Sequence, residues 1–164
     1  MKNFLISKWL FIGASLISWT VQAGGEIGNA HFVDYFDKLN GFELRYPENW
    51  SRLELGSSVS LMDRANTDTT SATTIINIAT DHFTEVKTPG DLKRYLEFFQ
   101  PDTKWIQAEI GGRPAFQANH NERGLVYVLR EAGLVAVIRF RVGPKEGASQ
   151  SIHLILESLK FERQ

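Results

Sequence analysis

No cysteine occurs among the 164 residues. That absence removes disulfides, thiolate metal sites, cysteine nucleophiles and lipid attachment through an N-terminal cysteine. A dominant charge is missing as well: 18 basic side chains against 19 acidic give a formal net charge of −1. No run of like charge occurs, and nucleic acid is set aside as a partner because phosphate binding needs clustered positive charge. Long apolar runs are absent too. The uncharged stretch Trp9 to Ala23 falls short of the roughly 18 to 20 residues of a membrane-spanning helix.

That stretch has another reading. Lys2 and Lys8 give a basic start, Trp9 to Trp19 is mostly apolar, and Val21-Gln22-Ala23 places small residues where a signal peptidase reads them. The order is that of a secretory signal, residues 1–23, with cleavage between Ala23 and Gly24. The 164 residues less 23 leave 141, an ordinary size for one domain that folds without covalent staples. Loss of Lys2 and Lys8 leaves 16 basic against 19 acidic side chains, a charge of −3. The expectation is a periplasmic or secreted protein with no stable membrane anchor after cleavage.

Residues 24–40 read as a leader with a short helix, since Phe32, Tyr35, Phe36 and Leu39 fall at helical spacing before Gly41. Phe42 to Tyr46 alternates apolar and polar with period two, and Pro47 closes it as a strand. Trp50 to Leu55 and Val59 to Met62 predict two more strands, with Gly56-Ser57-Ser58 as the turn. Arg64 to Thr74 is polar and threonine-rich, an exposed loop, and Thr74 to Ala79 predicts a further strand. Asp81 to Lys87 reads as a connection. Thr88 is the expected N-cap of a helix that opens with Pro89 and ends near Pro101. Its apolar stripe is Leu92, Tyr95, Leu96 and Phe99. Four strands follow at Trp105 to Ile110, Arg113 to His120, Gly124 to Glu131 and Leu134 to Val142. Gly111-Gly112 and Gly133 supply the tight turns. In the last strand Arg139 and Arg141 lie opposite an apolar face. Ile152, Ile155, Leu156 and Leu159 define a closing helix. No repeat or linker divides residues 41–164, and the fold class is α+β, with an antiparallel sheet sandwiched by helices.

Catalytic signatures are sparse. His31, His82, His120 and His153 form no HExxH and no pair four residues apart. Asp81-His82, near a strand end, and Asp63 with Asp68 beside the threonine-rich loop are weak metal candidates, each weighed against an ordinary solvated surface. Asn119-His120-Asn121 reads as turn chemistry and His153 as exposed on its helix. No Gly-x-Ser-x-Gly occurs, Ser57, Ser58 and Ser60 read as turn and strand residues, and Gly111-Gly112 joins strands rather than cradling phosphate. Asn49-Trp50-Ser51 fits a glycosylation acceptor in a eukaryotic secretory pathway, though Trp50 is accounted for as a core aromatic. Phe32, Phe36, Phe98 and Phe99 are candidates for a partner patch where they are not core residues.

Gly41 to Trp50 (GFELRYPENW) resembles the opening of the PsbP-like family, in which a Gly-Phe strand runs into Tyr-Pro and then Trp. The helix after Thr88, the hairpin Ile110 to Ala115 and the ending Ile152 to Phe161 are similar to it as well, so the likeness covers residues 41 to 161. The resemblance implies an antiparallel sheet between helices, the fold shared with Mog-type Ran-binding proteins. It also implies a protein that binds or helps assemble other macromolecules, with no catalytic residues to carry over and no cofactor. The expected function is an exported, non-enzymatic binding or assembly protein acting on a protein or cell-envelope complex. The alternative is a periplasmic small-ligand or metal-binding protein using Asp81, His82 and the 64–74 loop. A hydrolase would require a site assembled from distant residues.

Overall fold

A computed structural model describes residues 31–63, 74–120, 122–144 and 146–162. The expected signal peptide, the Ala23–Gly24 cleavage point, Asp68 and most of the threonine-rich loop lie outside the described residues. Among the described residues there are ten strands and two helices: β1 (Phe32–Asp37), β2 (Phe42–Pro47), β3 (Trp50–Leu55), β4 (Ser58–Asp63), β5 (Ile75–His82), α1 (Pro89–Phe99), β6 (Ile106–Ile110), β7 (Arg113–His120), β8 (Arg123–Glu131), β9 (Leu134–Arg141), α2 (Ala148–Ser158) and β10 (Lys160–Phe161). They form a seven-stranded sheet in the order β3-β4-β5-β9-β8-β7-β6 and a three-stranded sheet in the order β1-β2-β10. All pairings are antiparallel. The architecture is α+β.

The expected helix at 31–40 is corrected. Residues 32–37 are a strand paired with β2 from Phe32↔Pro47 to Asp37↔Phe42. Helical spacing of four apolar residues competed there with a long strand partner, and tertiary pairing decided. Tyr35 faces inward while Phe32 and Phe36 face out, as period-two geometry requires.

Alternation along the strands builds two cores, one on each face of the large sheet. The first gathers Leu61, Ile76, Ile78, Val126 and Ile138 beneath the small sheet (Tyr35, Phe42, Leu44) and α2 (Ile152, Ile155). Trp50 belongs to it, as expected of a core aromatic. The second lies under α1, where Leu92 and Leu96 meet Phe116, Tyr127, Leu129, Val135 and Val137. The α1 N-terminus is held by a capping box between Thr88 and Asp91. Hydrogen bonds from the Thr88 hydroxyl, from Arg94 and from backbone amides hold the Asp91 carboxyl down at about 2. Phe99, placed by periodicity in the buried stripe, is exposed instead, because it sits in the last helical turn.

Gly111 and Gly112 adopt φ of 58° and 70° between β6 and β7, the left-handed pair that a two-residue hairpin needs. Gly124 has a different role: a Cβ there would lie 1.9 Å from Phe140 Cζ, its registered neighbour's ring. The ring occupies the space of the missing side chain. Gly124→Ala is therefore expected to destabilise the protein by about 1–3 kcal/mol through overpacking. The double variant Gly124→Ala/Phe140→Leu should recover part of that loss in urea melts. Strictly additive losses would show that the ring moves aside freely.

Candidate functional site

The residues singled out by sequence fall in separate places. β5 runs three residues past the expected Ala79, so Asp81 and His82 belong to the strand, paired with Val135 and Leu134. Consecutive strand residues point to opposite faces of a sheet, so these two side chains do not converge on one ion. Asp63 closes β4, where its amide donates to Thr74 O at 3.0 Å. Among the described residues no group of three or more His, Asp or Glu side chains is arranged to hold a metal ion. His31 and His153 lie at the surface beside Glu48 and Glu157.

The four phenylalanines separate into two pairs. Phe32 and Phe36 lie on the outer face of the small sheet, over one side of the large sheet. Phe98 and Phe99 lie on α1, over the other. Phe36 is 41% exposed, Phe98 78% and Phe99 61%. On α1 the aromatic rings are linked. Phe98 meets Phe99 edge-on at 5.0 Å, Phe99 lies 4.6 Å from Tyr95, Tyr95 lies 4.8 Å from Phe83, and Phe83 leads to Tyr127 at 6.4 Å. A series of rings thus runs from the buried core to solvent. Burial raises the pKa of the Tyr95 hydroxyl, with Tyr127 and Asp81 adding to it. The phenol stays neutral in this setting.

A second constellation was not foreseen. Arg130 occupies the bulge between the pairs Leu129↔Val135 and Glu131↔Leu134, and a bulge re-aims its side chain. The guanidinium is buried at the junction of the two sheets. Nη1 donates to Asn40 O and lies 3.4 Å from Thr80 Oγ1, while Nη2 donates to Gly41 O at 2.9 Å. The group also lies 5.1 Å from the Phe161 ring centre. Burial lowers its pKa. Nearby, Asp37 accepts from Asn40 N at 2.8 Å, from Asn40 Nδ2 at 2.9 Å and from the Tyr35 hydroxyl at 3.3 Å. Burial pushes the Tyr35 hydroxyl far above the ordinary phenol range, with the Asp37 and Glu54 carboxylates adding to it. Arg52 stacks 4.6 Å over that ring and pairs with Glu54 at 2.9 Å.

The Tyr35–Asp37–Asn40 part of this cluster is chemically closed, while Arg130 Nε is buried without a hydrogen-bond partner among the described residues. A tyrosine held protonated is no base, and the Asp37 oxygens are already taken by three donors. Its work is to join the small sheet to the large one. The aromatic end of α1 is the better candidate for a functional site, since exposed aromatics favour contact with a partner.

No family model matches the chain, and no curated protein matches it in sequence. Solved structures do match in shape. A crystal structure from Bacteroides thetaiotaomicron VPI-5482 aligns over 80% of this chain with a TM-score of 0.56 and 13% identity. The alignment takes in 48% of that protein, so the chain spans about half its length. The cyanobacterial PsbP (CyanoP) of Synechocystis sp. PCC 6803 aligns over 87% of this chain and 99% of its own, with a TM-score of 0.53 and 14% identity. LpqN of Mycobacterium tuberculosis, involved in cell envelope biogenesis, aligns over 81% and 91%, also at 0.53 and 14%. The chain has the PsbP-like fold.

Arg130→Met is expected to cost about 2–4 kcal/mol, because two buried carbonyls lose a charged donor. Arg130→Lys should recover a fraction of it. Urea denaturation checks both, and a loss under about 0.5 kcal/mol for the methionine variant would show that water replaces the guanidinium.

Proposed function

We propose that this chain is an exported, non-enzymatic binding or accessory protein that docks on a protein or cell-envelope complex through the aromatic end of α1. The observation that carries the reading is the exposed Phe98–Phe99 pair, anchored from below by Tyr95 and Phe83. Rings held by a rigid core lose little entropy on binding, which is what makes aromatic anchors effective at interface centres. Two further observations support it. LpqN, of the same fold, is involved in cell envelope biogenesis. The basic, apolar and small-residue order of residues 1–23 is that of a secretory signal. No helix among the described residues is long and apolar enough to cross a membrane.

Two measurements test the reading. Cross-linking and pull-down of the full chain from its native envelope should recover a specific partner. Phe98→Ala/Phe99→Ala should reduce that recovery by about tenfold or more, in keeping with loss of a binding hot spot. The thermal melt should barely move, since both rings are exposed; equal capture by the two proteins would overturn the assignment of the helix end. For export, N-terminal sequencing of the chain recovered outside the cytoplasm should begin at Gly24-Gly25-Glu26. A chain that stays in the cytoplasm with Met1 or Lys2 at its start would overturn export.

A further inference from the structure

β6 ends one side of the large sheet and pairs with β7 alone. The two-residue hairpin makes Ile110↔Arg113 a hydrogen-bonded pair, and bonding then alternates along the strand. Ala108↔Ala115 and Ile106↔Gln117 are the next bonded pairs. Pro114, opposite Glu109, has no N–H to give, which agrees with this phase. The amides and carbonyls of Gln107 and Glu109 therefore point away from β7, along the outer edge. No hydrogen bond among the described residues engages them, and both side chains are exposed. Native edge strands are usually blunted by lysine, proline or a bulge, and Ile106–Ile110 has none of the three.

The strand also has the same chemical order from either end: Ile106, Gln107, Ala108, Glu109, Ile110. Gln107 is registered with Phe116 of the second core, so Gln107 and Glu109 lie on the α1 side. Ala108, registered with Ala115 of the first core, lies with Ile106 and Ile110 on the other side, and these three are half-buried. A two-fold axis through Ala108 sets Ile106 against a second copy's Ile110 and Gln107 against its Glu109. Both outward-pointing residues then form bonded pairs, each pair exchanging two backbone hydrogen bonds. The Gln107 amide donates to a carboxylate, and no like charges meet. A register centred on Glu109 opposes two carboxylates, which repel. One centred on Gln107 sets Glu109 against Trp105 and loses the isoleucine match.

We propose that β6 is a dimer edge: two copies of this chain pair antiparallel through Ile106–Ile110 about a two-fold axis at Ala108, so that the large sheet continues from one copy into the other. Backbone groups carry this contact, not the Phe98–Phe99 pair, so it goes beyond the docking role of α1. The connection 64–73 joins Asp63 of β4 to Thr74 before β5. A strand added to β6 lies about 24 Å from β5, five strand spacings away. Ten residues that leave and return reach about 19 Å. His31, where residues 1–30 join the chain, stands beside Glu48. There β2 separates β1 from β10, the strand that lies against the β6–β7 hairpin at Gly111. The opposite edge strand, β3, borders the 64–73 connection, and its order of residues has no such symmetry.

The test is the mass of the full chain by sedimentation, followed with concentration. One short strand pair buries little area, so association is weak and the dimer fraction should rise with concentration. Glu109→Pro removes an outward amide that β7 does not use, and should leave a monomer. Gln107→Glu should weaken the dimer about fivefold and Gln107→Lys tighten it about fivefold, the gain fading as salt rises. Gln107 is exposed, so the melts of both variants at low concentration should match the unaltered chain. Because the chain has no cysteine, Ala108→Cys supplies a single thiol. The two Cα atoms at the axis stand about 4.5 Å apart, within disulfide reach, and oxidised glutathione should link the copies. Gln107→Cys should link far less. A chain that stays monomeric to about 1 mM, a Glu109→Pro variant that still dimerises, or faster linking through Gln107→Cys than through Ala108→Cys would overturn the proposal. So would a dimer abolished by Phe98→Ala/Phe99→Ala, which would assign self-association to α1.

Discussion

Burial of β9 on both faces is the constraint from which the rest of the structure follows. Leu134 to Ile138 are five consecutive buried residues, with β5 on one side and β8 on the other. A strand buried on both faces cannot alternate apolar with polar, and it needs two covering layers. Val135 and Val137 require α1; Ala136 and Ile138 require α2 and the small sheet. Each fully buried aliphatic side chain contributes about 1.5–3 kcal/mol. The two helices, 11 residues each, are too short to persist alone and exist because this sheet gives their apolar stripes a surface. At Arg139 the run of buried residues stops, and with it the need for cover on the α1 side.

Joining the two sheets requires a different kind of interaction. The small sheet shares a core with the large one, yet its position is also held by one side chain, Arg130, reaching across to the carbonyls of Asn40 and Gly41. A buried guanidinium is costly to desolvate, and it persists where several acceptors and an aromatic face compensate. The β8 bulge makes this geometry available. One inserted residue turns a strand position into a strut between layers.

Much of this was legible from residue order. The period-two alternation of β2, the Thr88 cap, the Gly111-Gly112 hairpin, the Arg139/Arg141 face of β9 and the PsbP-like order of elements all appear as expected, because each rests on local geometry. β1 was misread since Phe32, Tyr35, Phe36 and Leu39 also satisfy a helical spacing, and only pairing with β2 excludes it. β10, two residues long, carries no periodicity to detect. Arg130 escaped notice because its partners are backbone carbonyls about 90 positions away, and a carbonyl has no sequence signature. Asp81 and His82 looked like a pair through adjacency, the one spacing that a strand separates. Of the four phenylalanines, sequence could mark them as aromatic candidates but not divide them between the two sides of the sheet.

The two sides of the large sheet differ in how their charges are spent. On the outer surface of the small sheet, Arg45 pairs with Asp34 at 3.3 Å and Lys160 with Glu43 at 2.9 Å, so charge is matched within the layer. Ser158 adds hydrogen bonds to both Arg45 N and Arg45 O, closing the free edge of β2 beyond β10. Phe36 is the large apolar side chain left 41% exposed on the outer face of β1. On the α1 side an exposed aromatic pair and exposed arginines stand over a sheet whose other face is sealed. Rigidity beneath and exposed rings above are the properties that let a surface bind with little reorganisation. A fold of this kind supports recognition through its periphery, because its interior is fully committed to holding β9.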